Sequence, residues 1–201
     1  MKPAFRLLVA AAALAFMSQA ASAGFLNIPK QSLDLPSSTH IDAKGYAMAP
    51  TGFYMLCVAV PSACKVTRAR AVAAGGDGLR LTLDTLKIID RVNRDVNAAM
   101  KPRPEAAGTD VWKIGGSTGD CEDYALTKRA ALLRKGFPSA ALLMTAVVTG
   151  RGEDHAVLLV RTDRGDFILD NLSQTVKPWA STGYTFVSMQ TPENPRLWKK
   201  L

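Results

Sequence analysis

Apolar residues recur along Thr82–Met100 at Leu83, Leu86, Ile89, Val92, Val96 and Met100. Steps of three and four put them on one stripe, so the spacing predicts a helix whose stripe faces a core. Lys101-Pro102-Arg103-Pro104 stops that helix, because proline brings no N–H and crowds the preceding turn. Glu105–Gly119 then reads as a loop carrying Trp112 and the flexible Gly115-Gly116-Ser117-Thr118-Gly119. A second helix is predicted from Cys121 to Lys135, with Ala125, Leu126, Ala130, Leu132 and Leu133 apolar and Gly136-Phe137-Pro138 as its stop. Beyond Pro138 the texture changes to short runs rich in Val and Leu: Ala141–Thr149, Ala156–Thr162 and Asp166–Asp170. Gly150-Arg151-Gly152 and Asp163-Arg164-Gly165 separate them, and the second of these suits a tight hairpin. Two helices followed by consecutive antiparallel strands make an α+β domain, with helices packed on a small antiparallel sheet.

The pattern is weaker upstream. Gly24–Val60 is rich in Pro, Ser, Gly and small residues and reads as irregular covering structure, with a strand at Gly52–Val60. Gly75-Gly76-Asp77-Gly78 is a flexible turn; it lacks the spacing and the lysine of a phosphate loop. Residues 24–80 are therefore expected to be an irregular N-terminal region on a core formed by 81–201, the two making one globular domain. The chain opens with Lys2 and Arg6, an apolar block from Leu7 to Phe16, and Ala21-Ser22-Ala23 before Gly24. That is the pattern of a secretory signal peptide, residues 1–23, cut after Ala23. The block is too short to cross a bilayer. A periplasmic or secreted protein is expected.

Composition narrows the partners. The formal net charge is +8, and two of those positive charges leave with the leader. The rest, among them Lys101, Arg103, Lys128, Arg129, Arg134 and Lys135, form no dense run, so they read as solvated surface and not as a nucleic-acid footprint. The cysteines are Cys57, Cys64 and Cys121. An odd count in an oxidising compartment leaves one thiol to explain. Cys57 and Cys64 bracket a short loop that brings them together at small entropic cost, so they are the expected disulfide. Zinc is the rival, but two histidines and no second cysteine pair make a poor ligand set.

Cys121 thus falls free, at a predicted helix N-terminus, where the dipole favours thiolate. His155 stands at the start of the strand Ala156–Val160, and Asp170 ends the next strand of the same hairpin. A nucleophile, a base to move its proton and an acid to orient that base occur in this order. Taken singly, each has a plainer reading: an inert buried thiol, a satisfied polar histidine, an Asp-Asn turn. His40, in the irregular region, reads as surface.

The segments Gly119-Asp-Cys-Glu-Asp-Tyr-Ala125, Lys128 and Leu133, His155-Ala-Val-Leu158 and Gly165-Asp-Phe-Ile-Leu-Asp-Asn171 resemble the bacterial transglutaminase-like cysteine proteinases, the family of the periplasmic LapG-type adhesin proteases. Val92-Asn93-Arg-Asp-Val96-Asn97 and Asp110-Val-Trp112 resemble the part of that family before the nucleophile. The resemblance runs from about Leu81 onward. It implies a papain-like core with Cys121 as nucleophile, His155 as general acid/base and Asp170 as its orienting partner. It also implies calcium, with Asp120, Glu122 and Asp123 as ligands; hard carboxylate oxygens suit that ion. A cation there answers a difficulty, since three acids beside a thiol oppose its ionisation. The Cys121 backbone N–H is the natural oxyanion donor, whereas Trp112 reads as a packed aromatic. The expected function is hydrolysis of a peptide bond in an envelope or surface protein, an adhesin in the specific version, with an inner-membrane receptor as regulator. The enzyme is expected to be a monomer. Transfer of the acyl group to an amine, as in a transglutaminase, and a non-catalytic binding protein on the same fold are the alternatives.

Overall fold

The computed structural model describes residues 35–67, 74–75, 78–106 and 108–201; the leader expected at 1–23 and residues 24–34 lie outside these. In chain order the elements are β1 (Tyr46–Ala47), α1 (Thr51–Ala59), a 3-10 turn (Pro61–Cys64), β2 (Ala74–Gly75), β3 (Gly78–Leu79), α2 (Leu83–Ala99), β4 (Lys101–Pro102), β5 (Thr118–Gly119) and α3 (Cys121–Arg134). Then come β6 (Leu142–Val148), β7 (Asp154–Thr162), β8 (Gly165–Asp170), β9 (Ser173–Pro178), β10 (Thr185–Gln190) and β11 (Trp198–Lys200).

α2 starts where sequence chemistry puts it. Thr82 Oγ1 accepts from Thr85 N at 3.2 Å while Thr85 Oγ1 accepts from Thr82 N at 2.7 Å, a reciprocal capping box. Its buried Ile89, Val92 and Val96 are the predicted stripe. α3 likewise begins at Cys121. The strand expected at Gly52–Val60 is instead the helix α1. That segment is apolar almost throughout, and such a run cannot reveal its period. Gly52, Phe53, Leu56 and Cys57 are buried, at helical spacing, while Tyr54, Met55 and Val58 are exposed. The Cys57–Cys64 disulfide ties the end of α1 to the 3-10 turn, with Cα atoms 5.6 Å apart.

The main sheet runs β9-β8-β7-β6-β10-β11-β1, antiparallel throughout, and the β2–β3 hairpin joins it in parallel where Leu79 meets Thr162 at the end of β7. β4 and β5 form a separate parallel pair. One face of the sheet presents Leu142, Met144, Leu158, Val160, Phe167 and Leu169 to the helices. The other presents Leu143, Val147, Val157, Leu159, Ile168 and Met189 to Ile41, Trp179, Tyr184 and Phe186. Burial on both faces is why the strands read as unbroken apolar runs. The 38–44 stretch, irregular as expected, is fastened by Ser38 N to Arg164 O (2.7 Å) and by Lys44 N to Lys200 O (2.8 Å). His40, expected at the surface, keeps a half-exposed side chain, but its ring also bonds the buried Asp166 at 3.2 Å. No helix among the described residues is long and apolar enough to cross a membrane.

Candidate active site

α3 enters the molecule from a short extended segment. Lys101 N donates to Ser117 O and Arg103 N to Gly119 O, at 2.9 and 2.8 Å, so the two chain segments flanking the 103–117 loop lie side by side. Tyr124 N to Asp120 O is the first bond of the helix, which leaves the Cys121 N–H ahead of the ladder. Cys121 lines an open cleft of about 410 Å³ with Arg103, Glu105, Asp120 and Asn171. A larger groove of about 760 Å³ lies between α1 and residues 110–114; it is walled mainly by apolar side chains and does not include the thiol.

The base and its partner form a tight unit. His155 Nε2 meets Asp170 Oδ1 at 2.9 Å, and both side chains are buried. Tyr184 O–H donates to Asp170 Oδ2 at 2.6 Å, Leu172 N donates to Oδ1 at 3.0 Å, and the Tyr184 ring stands edge-on to His155 with centroids 5.8 Å apart. Burial pushes the Asp170 carboxyl up, but the bonds from His155, Tyr184 and Leu172 outweigh it and hold it below the usual carboxylate range. Burial and the same bond to Asp170 push the Tyr184 phenol well above its ordinary value. An ionised Asp170 only accepts, so Nε2 carries the shared proton and Nδ1 of a neutral ring keeps a lone pair for acid–base work.

The thiol is held differently. Its S–H donates to Glu122 Oε2 at 3.3 Å, and the backbone N–H of Ala156, the residue after His155, favours its ionised form. Burial first, then the Glu122 charge, pushes it up to about 12, with the Ala156 N–H pulling the other way. Glu122 is itself raised to about 8 by burial and by Asp120 beside it.

The acids near Cys121 separate into two groups. Carboxylate oxygens of Glu105, Asp120 and Glu122 lie within 4.8 Å of one another, and Asp120 Oδ1 is buried with no partner among the described residues. Asp123 does not join them: its Oδ1 accepts from Lys113 N at 2.8 Å and its Oδ2 meets Lys113 Nζ at 2.6 Å, a clamp between α3 and the preceding loop. A residue two positions from Cys121 on a helix points elsewhere from its neighbours, which the linear cluster concealed. Trp112 is packed, as expected: its Nε1 donates to Asp110 Oδ1 at 2.6 Å and its ring meets Phe53 edge-on.

Glu105 and Tyr184 went unread in the sequence. Only chain folding brings them in from positions distant along the chain, and the alternation of Tyr184 with Phe186 was the single cue to the second. Lys128 and Arg129, read as surface charges, are buried. α3 is enclosed on nearly all sides, so its charged positions do not mark a solvent face.

Residues 43–201 match the family described as bacterial transglutaminase-like cysteine proteinase. No curated protein matches the chain by sequence. Among solved structures, Legionella pneumophila LapG matches with 25% identity and a TM-score of 0.50, over 58% of this chain and 72% of that one. A structure described as calcium-bound LapG of the same organism gives 27% identity, a TM-score of 0.48 and the same coverage. An EGTA-treated one gives 23% identity and a TM-score of 0.44, over 53% of this chain and 66% of that one.

Proposed function

We propose that this chain, which belongs to the bacterial transglutaminase-like cysteine proteinase family, is an exported peptidase that cleaves a peptide bond in an envelope or surface protein. The observation that carries the reading is the His155 Nε2–Asp170 Oδ1 bond of 2.9 Å, with His155 one residue before Ala156, whose backbone N–H favours the ionised form of Cys121. In the first step His155 Nδ1 takes the thiol proton and Cys121 Sγ bonds to the scissile carbonyl carbon. The Cys121 N–H faces the oxyanion so formed. Collapse breaks the C–N bond, and the leaving amine takes the proton from His155. Water then bonds to the thioester carbonyl carbon, giving a proton to His155 Nδ1; collapse breaks the C–S bond, the product acid departs and the Cys121 thiolate takes that proton back from His155 Nδ1. Export is supported by the charged, apolar and small-residue order of 1–23 and by a disulfide, a bond that oxidising compartments preserve. A surface adhesin as substrate and an inner-membrane receptor as regulator are the specific form of this proposal.

Calcium belongs to the same proposal. The donors suit a hard cation: three carboxylates together, one with a buried oxygen that has no partner among the described residues, and a Glu122 carboxyl that burial and the neighbouring Asp120 raise to about 8. Glu105, Asp120 and Glu122 would hold it. Bound there, Ca²⁺ supplies positive charge that offsets the carboxylates' opposition to the thiolate. Added Ca²⁺ is expected to raise the melting temperature and EGTA to reverse the rise, with Glu105→Gln blunting the response and Asp123→Asn preserving it. An unchanged melting temperature across a calcium titration would remove the metal.

For the activity, solubilised envelope proteins are incubated with the enzyme and Ca²⁺, and new N-termini are labelled. Wild type is expected to generate them, and Cys121→Ala and His155→Ala to generate none. Stable incorporation of a labelled amine without new termini would replace hydrolysis by acyl transfer. No product of either kind, with Cys121 alkylated no faster than an ordinary thiol, would leave a binding protein.

A further inference from the structure

Lys128 lies in the stretch that carries the family resemblance, yet neither the triad nor the carboxylate cluster uses it. Its side chain is fully buried and its Nζ has no hydrogen-bond partner among the described residues. It stands one turn along α3 from Tyr124, whose hydroxyl donates to Met100 O at 2.8 Å, so this face of α3 is turned to the end of α2. Its ammonium is 5.9 Å from the Tyr124 ring centroid, the outer limit of a cation–π contact.

On α2, Asn93 and Asn97 stand one turn apart. Asn93 Nδ2 donates to Ser173 O at 2.8 Å, and Asn97 Nδ2 to Asp170 O and Ser173 O at 3.0 and 3.1 Å. A carbonyl only accepts, so both amide nitrogens must point at the 170–173 turn and both Oδ1 atoms away from it. Those two oxygens are also buried without partners among the described residues. An ammonium with three protons and two amide oxygens are complementary in type, and a buried water takes donors and acceptors of both kinds as its partners. Burial pulls the Lys128 ammonium down to about 7, and Asp170 is the charge that opposes this.

We propose that Lys128 is a positioning residue for the triad: with Asn93 and Asn97, through buried water, it forms a polar support behind Asp170 that keeps that carboxylate charged and aimed at His155. The inference rests on the proposed roles of Asp170 and His155. The test compares wild type, Lys128→Met, Asp170→Asn and the double variant, all with Ca²⁺. Lys128→Met is expected to melt no lower than wild type, because an apolar side chain of similar shape replaces a buried charge. Its kcat should fall about 10–100-fold with KM nearly unchanged. In the Asp170→Asn background the same substitution should change kcat less than about threefold, the carboxylate it supports being gone. Without any substrate, the downfield imidazole proton resonance of the His155–Asp170 bond should move in Lys128→Met and vanish in Asp170→Asn. A wild-type kcat with an unmoved resonance, or an equal loss in both backgrounds, overturns the proposal. Should Lys128→Met not fold, Lys128→Arg must retain more activity than Lys128→Gln; equal activities overturn it as well. If no form cleaves substrate but the resonance moves in Lys128→Met, the peptidase reading fails and this one stands.

Discussion

Asp170 shows how a single side chain is fitted to a role by what touches it. Its two oxygens accept from a histidine ring, a backbone amide and a phenol, and no one of these contacts would hold the carboxylate low against its burial. Tyr184→Phe removes the 2.6 Å bond to Oδ2 and nothing else. A hydrogen bond to a charged group is worth about 1.5–3 kcal/mol, so kcat/KM should fall roughly 10–150-fold, while Asp170 regains protons at a higher pH. Steady-state kinetics across pH, with the melting temperature as a check on the fold, measure this; an unchanged kcat/KM would mean that the phenol only fills space. Along the chain only its alternation with Phe186 marks Tyr184, because it lies beyond the hairpin that the apolar runs outline.

At the scale of elements, the two ends of α3 differ in how they could be foreseen. Its C-terminus stops at Gly136-Phe137-Pro138, a local signal. Its N-terminus is set by the loop before it, through Asp123 gripping Lys113 and through Gly119, where a Cβ would stand 2.5 Å from Asp123 Oδ2. Gly119→Ala should therefore displace the Asp123 carboxylate and cost about 1–3 kcal/mol by denaturant unfolding. A variant as stable as wild type would show that this approach is slack. α1 is the opposite case, a segment whose apolar residues exceed what one face needs. Several of them stay exposed after folding, and so the helical period was hidden in the sequence.

Over the whole molecule, buried charge leaves a mark on stability. Lys128, lowered to about 7 by burial, binds fewer protons folded than unfolded between that pH and the ordinary lysine value of 10.5. Wild-type stability should consequently rise with pH through that window, by at most about 1.4 kcal/mol per unit, and should level off on either side. Denaturant unfolding of wild type and Lys128→Met at several pH values isolates the effect: the variant should be the more stable below pH 7, with the gap closing above it. A constant gap would show that the lysine keeps its proton on folding. Much was fixed by the chain alone. Helical stripes, proline and glycine stops and the runs of Val and Leu are local patterns, and they located α2, α3 and the β6–β8 strands. The pairing of Cys57 with Cys64 and the order of Cys121, His155 and Asp170 are equally local or ordinal. Tertiary structure alone decided which acids face one another, since it turned Asp123 to Lys113 and brought in Glu105 from across a loop. It also decided that Lys128 is inside, and that the histidine's partner has a phenol behind it. Directions of side chains and encounters between distant segments depend on how the elements pack, and no period along the chain records that.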